Sequence, residues 1–156
     1  MEGYAALLTA LWAFAASGST PLEGSYVATS LNGQNVPAVL RLPVQNGDFR
    51  VFRLEQGVLR LSSGGRFTLS FRYYHQLVRR GKQPARTPVL SDSESGTYRL
   101  EGGKLILTPV KKHGEKTRPT IAATLDGQKI NASYLLQNGS SPERISLTLE
   151  RDPTFW

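Results

Sequence analysis

The sequence predicts a single all-β domain, an antiparallel up-and-down meander closed or nearly closed into a barrel of about eight strands. Three observations support this prediction. Apolar and polar residues alternate over most of the chain after residue 21, pairs of turn-forming residues interrupt the alternation, and no helical period of apolar residues follows residue 21. A chain of 156 residues has room for one such domain.

The turn signals are two-residue pairs that tolerate the positive φ angles of tight hairpins. They are Asn32-Gly33, Asn46-Gly47, Gly64-Gly65, Gly102-Gly103, Asp126-Gly127 and Asn138-Gly139. The candidate strands between and around them are 24–31, 38–42, 49–54, 58–62, 66–74, 96–101, 104–108, 121–125, 129–136 and 144–151. Short strands at this spacing are typical of a sandwich or a barrel.

The clearest alternation lies in the segment 66–74. Phe67, Leu69, Phe71 and Tyr73 share one face of this segment, while polar residues occupy the other face. Successive side chains of a strand point to opposite faces of the sheet, so we expect the first set to face the core.

The first twenty residues differ from the rest. Residues 4–16 are uncharged and mostly apolar, and Ala13-Phe14-Ala15 has the small-x-small pattern of a cleavage site. This pattern predicts a signal peptide over 1–20, a mature domain over 21–156 and a periplasmic or secreted protein, although the usual basic residues before the apolar run are missing. The run is too short to span a bilayer. The alternative is an N-terminal apolar helix that packs on the domain.

The chain is basic, with 19 Lys and Arg against 12 Asp and Glu and a formal charge of +7. Such an excess attracts anionic surfaces, but it also simply keeps a small protein soluble. Several of the basic residues fall in two predicted long loops, 75–91 and 109–119. There is no cysteine, which excludes disulfides, thiol catalysis and cysteine metal sites.

No catalytic pattern is visible. His75 and His113 both lie in or beside the basic loops, where neighbouring positive charge disfavours protonation and metal binding. Nucleophile-elbow, phosphate-loop, dinucleotide and zinc-protease motifs do not occur. We therefore predict no enzymatic activity, no cofactor and no metal. A barrel-fold isomerase or hydrolase, the alternative, would need polar groups that converge inside the barrel.

Several motifs follow one another in the order found in a known family. Gly24-Ser25-Tyr26 is followed by the segment 32–37 (Asn-Gly-Gln-Asn-Val-Pro), by Gly-Gly-Arg-Phe at 64–67 and by Gly-Thr-Tyr at 96–98. Together with the closing strand 145–151, this order resembles small bacterial lipocalin-like domains, which begin with a Gly-x-Trp strand and an Asn-Gly turn leading to Pro. The resemblance covers most of 22–152 and implies a calycin-type barrel.

The resemblance also implies a structural pair at the base of the barrel. In lipocalins the aromatic residue of the first strand packs under a basic residue of the last strand, and here these would be Tyr26 and Arg151. The chain departs from the family at this point, because the usual Trp is Tyr26, and Trp12 and Trp156 both lie outside the predicted barrel. A guanidinium over a ring contributes on the order of 1 kcal/mol.

The favoured function is that of an exported lipocalin-like protein that binds a small hydrophobic or amphiphilic ligand. The residues expected to line or fill the barrel are Phe67, Leu69, Phe71, Tyr73, Tyr98, Leu100, Leu105 and Leu107. Arg72, Arg79 and Arg80 are expected near the mouth, where they would attract an anionic head group.

The alternative is a non-enzymatic interaction module with a filled core, whose basic loops bind an acidic partner protein, an envelope glycan or a lipid surface. A single-stranded nucleic acid is a weaker alternative, suggested by aromatic residues beside cations at 72–75. An empty interior would favour the ligand-binding protein, and a filled interior would favour the interaction module.

Overall fold

The structure, a computed structural model, describes residues 22–83, 89–110, 119–136 and 143–154. The predicted signal peptide or N-terminal helix, the Asn138-Gly139 turn and most of the basic loop 109–119 lie outside these ranges. Within them, no helical segment has the length and apolarity that a membrane crossing requires.

The described residues form ten strands. The strands are β1 (Gly24–Leu31), β2 (Gln34–Asn35), β3 (Ala38–Pro43), β4 (Phe49–Ser62), β5 (Arg66–Val78), β6 (Leu90–Glu101), β7 (Lys104–Pro109), β8 (Ile121–Asp126), β9 (Lys129–Leu136) and β10 (Glu143–Arg151). A single 3-10 turn, Gln45–Gly47, precedes β4.

The strands close into an antiparallel barrel, as the alternation predicted. From β4 to β10 each strand pairs with the next, and β1 closes the ring because it pairs with β10 on one side and with β4 on the other. Eight strands therefore form the ring, β1 and β4 through β10. The short strand β2 pairs with β1, and β3 extends the wall along the first half of β4.

Two segments differ from the sequence-based prediction. The predicted strands 49–54 and 58–62 are one strand, β4, with a bulge between Leu54 and Gln56. A bulge inserts an extra residue and breaks the two-residue period, so the alternation on its own reads as two strands. The predicted loop 75–91 is also wrong in extent, because β5 continues to Val78 and β6 begins at Leu90.

The interior of the barrel is filled with side chains. Phe67, Leu105, Leu107, Leu147 and Leu149 are among the fully buried residues of one continuous apolar cluster. The inward positions of most strands are those that the alternation predicted. Leu100 is an exception, with 55% of its surface exposed. β5 pairs with β6 only as far as Thr97, so Leu100 has β7 as its only described neighbouring strand.

Candidate ligand site at the barrel mouth

Among the residues that the structure describes, the barrel wall is incomplete at one end, which we call the mouth. It is the end where β4, β6 and β10 begin and β5 ends. In the described part of the chain, no strand pairing joins β3 to β10 there. The first residues of β10 pair with β9, and Asn32 covers part of their other edge. The Asn32 N–H donates to the Ser146 carbonyl at 2.8 Å, and the Ser146 N–H donates to Asn32 Oδ1 at 2.7 Å.

A small cavity lies just inside the mouth. Its lining comes from five strands and consists mainly of aromatic and aliphatic side chains: Phe52 and Leu54 of β4, Phe71 and Tyr73 of β5, Asp92 of β6, Tyr134 of β9 and Ile145 of β10. Because successive side chains of a strand point to opposite faces, these residues face the interior. The bulge in β4 shifts the alternation by one residue, so Leu54 before the bulge and residues 57, 59 and 61 after it all point inward.

The aromatic rings of the cavity pack in two pairs. The Phe52 and Tyr73 ring centroids are 5.0 Å apart with the planes tilted by 32°, and those of Phe71 and Tyr134 are 5.5 Å apart with a tilt of 52°. Both separations lie in the range favoured for aromatic pairs. The rings therefore support one another and give the mouth a preformed apolar lining.

Carboxyl groups accompany the rings. The Tyr134 hydroxyl donates a hydrogen bond of 3.1 Å to Oε1 of Glu94, which is 8% exposed and is one of the two buried polar residues of the described chain. Burial raises the pKa of the Tyr73 hydroxyl, and the negative charge of Asp92 raises it further. The polar edge of the cavity thus has acidic groups on β6 and hydroxyl groups on β5 and β9.

A basic group lies on the β4–β5 side of the mouth. His75 on β5 is paired with Phe52, and Arg50 is two residues before Phe52 on β4. Burial lowers the pKa of His75, and the positive charge of Arg50 lowers it further. His75 is therefore mainly neutral near pH 7, and the mouth presents charges of both signs.

The cavity itself has a volume of about 30 Å³, roughly the space of one water molecule. Below it the interior is closed by buried residues such as Leu59, Leu69 and Leu147. A ligand at this site would contact the rings from the open end and would not be enclosed by the barrel.

The closed end of the barrel brings Tyr26 and Arg151 together. Arg151 Nη2 donates to the Tyr26 hydroxyl at 2.7 Å, and its guanidinium carbon lies 5.2 Å from the ring centroid. The same hydroxyl donates to the carbonyl of Leu22 at 2.7 Å. These contacts join the first and last strands of the barrel and fix the residues that lead into β1.

The structure places the sequence-predicted ligand residues in three different environments. Phe71 and Tyr73 line the cavity. Phe67, Leu69, Leu105 and Leu107 fill the core below it. Tyr98 is half-buried near the closed end, where its hydroxyl donates to the Ser62 carbonyl at 3.2 Å. Burial raises the pKa of this hydroxyl, and Glu23 and Tyr26 raise it further.

The three predicted arginines do not line the cavity. Arg72 alternates with the inward residues Phe71 and Tyr73, and its side chain is exposed on the outer face of β5. Arg79 and Arg80 are exposed in the turn after β5, where the Arg80 N–H donates to Asp48 Oδ1 at 2.9 Å. Among the described residues, the groups that line the cavity include a carboxylate and no arginine.

Several cavity residues were not predicted from the sequence. Asp92 of the lining and Glu94, which bonds to Tyr134, lie between the predicted loop 75–91 and the predicted strand 96–101, so no inward face was considered for them. Tyr134 could have been found, because it follows Ile130 and Ala132 at intervals of two on a predicted strand. Phe52 and Ile145 also alternate correctly, but a sequence pattern does not show which inward residues surround a cavity.

No protein-family model matches this chain, and no curated protein matches its sequence. In the described part of the chain, no three acidic or histidine side chains are grouped so as to hold a metal ion.

Proposed function

We propose that this protein is an exported lipocalin-like binding protein that holds the apolar part of a small hydrophobic or amphiphilic molecule at the mouth of its barrel. The observation that carries the proposal is the set of paired aromatic rings around a cavity at the open end of an eight-stranded barrel. Ligand sites are often lined by aromatic residues with a few polar groups, and barrel mouths are a common place for them.

The size of the cavity limits the kind of ligand. Pockets that enclose drug-sized molecules have volumes of roughly 300–1,000 Å³, about ten times or more the volume at this mouth. The proposed ligand therefore places a single ring or the end of a short chain against the aromatic side chains at the open end of the cavity. Its polar end stays at the rim, near Asp92 on one side and near Arg50 and His75 on the other.

A binding experiment with a fluorescent apolar probe tests this proposal. N-phenyl-1-naphthylamine brightens when it enters an apolar site, so its titration into the protein gives a dissociation constant. We expect saturable binding by the wild type. Ile145→Phe adds volume to a residue of the cavity lining and should weaken binding by at least about tenfold, which corresponds to about 1.4 kcal/mol.

The matched control makes the same substitution on the outer face of the barrel. Ile106 lies on β7 between the buried residues Leu105 and Leu107, so its side chain points outward. Ile106→Phe should leave probe binding unchanged. A wild type that does not bind the probe, or equal losses in the two variants, would contradict a ligand site at the mouth.

The filled interior favours a second candidate function, a non-enzymatic interaction module that binds an anionic partner through its surface. This candidate depends on the small volume of the cavity and on the formal charge of +7. Retention of the protein on an anionic column that weakens as salt is added would support it, because salt screens surface attraction. Absence of retention at low salt would contradict it.

Export is part of the proposal and rests on the apolar segment 4–16 and the small residues after it. N-terminal sequencing of the protein from its host tests it. A mature chain that begins near residues 15–18 is the expected result, and retention of Met1 on the exported protein would contradict cleavage.

A further inference from the structure

Three arginines on the outer wall of the barrel have no partner among the residues that the structure describes. Arg60 on β4 and Arg66 and Arg72 on β5 are exposed, and no described acidic group forms an ion pair with them. Other arginines of the same wall are paired: Arg53 lies 2.7 Å from Glu55, and Arg99 lies 3.1 Å from Glu101. The three guanidinium groups are therefore available to an external anion.

An open groove of about 500 Å³ lies on this wall and includes Arg60 and Arg72 in its lining. Its centre contains Val58, which is 7% exposed although it faces outward. Ser70 is paired with Val58 on one side and with Ser93 on the other, and Ser91 is paired with Arg72. The groove thus combines two cations with serine hydroxyl groups that can donate hydrogen bonds.

Strand register gives the spacing of the arginines. Arg72 is opposite Gln56, Arg60 is four residues further along β4, and Arg66 is opposite Ser62. At about 3.3 Å per residue, the positive charges are about 13 Å and then about 7 Å apart along the strand direction. They form a stripe roughly 20 Å long, which matches a linear ligand that carries several negative charges better than it matches a single ion.

We propose that this stripe and its groove bind a linear anionic polysaccharide. The arginines would contact its sulfate or carboxylate groups, and the serine hydroxyl groups would contact the hydroxyl groups of the sugars. The inference names the surface and the ligand of the second candidate function, on which it rests. It does not depend on a ligand at the mouth.

Two features of the groove distinguish a polysaccharide from other polyanions. Single-stranded nucleic acids are usually held by stacking on exposed rings, whereas Phe71, the ring that borders this groove, is 8% exposed and also lines the interior cavity. A bilayer surface would favour exposed large apolar side chains, and the large exposed ones in the described chain lie outside the lining of the groove. Asp92 lies at one rim of the groove, where its Oδ1 accepts a hydrogen bond of 2.9 Å from the Ser93 N–H. Its negative charge repels an anionic ligand, so the anionic groups of the ligand should contact the side of the groove that carries the arginines.

The test measures binding of a fluorescein-labelled heparin octasaccharide by anisotropy, over a range of salt concentrations. The double variant Arg60→Gln, Arg72→Gln removes two charges from the groove and should weaken binding by at least about tenfold. The slope of log Kd against log salt concentration should also fall, by about one for each lost contact to a linear polyanion.

The control variant Lys129→Gln, Arg144→Gln removes the same charge from β9 and β10, on a different part of the wall. Both residues are exposed, so fold loss is not expected, and thermal unfolding of each variant checks this. The control should change the affinity for the octasaccharide by less than about twofold. Binding of the naphthylamine probe at the mouth should be the same in the wild type and in both double variants. This measurement separates failure of this inference from failure of the ligand site at the mouth.

Three results would overturn the inference. Equal losses in the two double variants would show general attraction to charge, and the second candidate function would then stand without this site. Tighter binding to a single-stranded oligonucleotide or to vesicles with anionic lipid, at equal charge, would replace the polysaccharide as the ligand. No binding of the wild type at low salt would remove both the site and the second candidate function.

Discussion

At the closed end of the barrel, the hydroxyl group of Tyr26 connects three parts of the chain. It accepts a hydrogen bond from Arg151 on the last strand and donates one to Leu22, which precedes the first strand. Tyr26 itself is 2% exposed, so water does not replace either partner. A hydrogen bond to a charged group contributes more to stability than one between neutral groups.

We therefore expect Tyr26→Phe to lower the free energy of unfolding by about 2 kcal/mol. The matched change Tyr98→Phe removes a hydroxyl group whose bond to Ser62 is exposed and 3.2 Å long, and it should cost about 0.5 kcal/mol. Urea unfolding of the two variants measures the difference. A smaller loss for Tyr26→Phe than for Tyr98→Phe would show that the Tyr26 hydroxyl does not help to close the barrel.

The lowered pKa of His75 predicts how the stability of the protein depends on pH. Its folded-state pKa is lowered from 6.5 by burial and then by Arg50, so the unfolded chain binds a proton at a higher pH than the folded one. Stability contributed by neutral His75 is complete above pH 6.5 and is lost as the pH falls from there toward the lowered pKa. The melting temperature should therefore fall between pH 7.5 and about 5.5, and less so in His75→Gln. Parallel curves for the two proteins would argue against this assignment.

At the scale of elements, β6 and β7 depend on the absence of a side chain at Gly96. A Cβ atom at this position would lie 2.0 Å from the Thr108 carbonyl oxygen and 2.9 Å from Cε1 of Phe67. The oxygen belongs to the backbone of the neighbouring strand and cannot move alone. The Gly-Thr-Tyr motif that suggested a family resemblance therefore begins at a place where two strands and a core ring meet closely.

Gly96→Ala should for this reason lower the free energy of unfolding by at least about 3 kcal/mol. Gly57→Ala on β4 is the matched control, because its Cβ would be 3.0 Å from the Ala28 side chain and should cost only about 1 kcal/mol. Thermal unfolding of both variants compares them. A cost for Gly96→Ala no larger than that for Gly57→Ala would mean that β6 and β7 separate easily.

The barrel as a whole is paired unevenly along its axis. Residues 66–73 of β5 pair with β4 on one side and with β6 on the other, whereas its last residues, 74–78, pair only with β4 among the described strands. The tightly packed core lies toward the closed end, and the cavity lies at the mouth. The mouth is therefore the end at which the molecule can open with the smallest loss of contacts.

Amide hydrogen exchange measured by NMR should detect this difference. The amides of residues 66–73 that bond to a neighbouring strand should exchange at rates near those of global unfolding, and those of residues 74–78 should exchange at least about a hundredfold faster. Equal protection along β5 would contradict a mouth that opens locally. Slower exchange at 74–78 in the presence of the naphthylamine probe would connect this local opening to the proposed ligand site.

Much of the architecture was predictable because it depends on local chemistry. The two-residue alternation of 66–74 and 144–151 identified strands and their inward faces, and turn pairs such as Gly64-Gly65, with φ angles of 81° and 71°, identified the hairpins. These signals arise between residues that are close in the chain, so a sequence pattern is enough to find them. They determined the all-β class, the meander and most of the core.

The tertiary structure decided the features that depend on distant parts of the chain. The extent to which neighbouring strands overlap determines which inward residues are covered. This overlap buries Phe67, leaves Leu100 exposed and leaves a cavity between Phe52, Tyr73 and Ile145. Strand register likewise brought Arg60 and Arg72 together around one groove. Alternation fixes the side of the sheet on which a residue lies, but only the closure of the barrel fixes its neighbours, because those neighbours come from other strands.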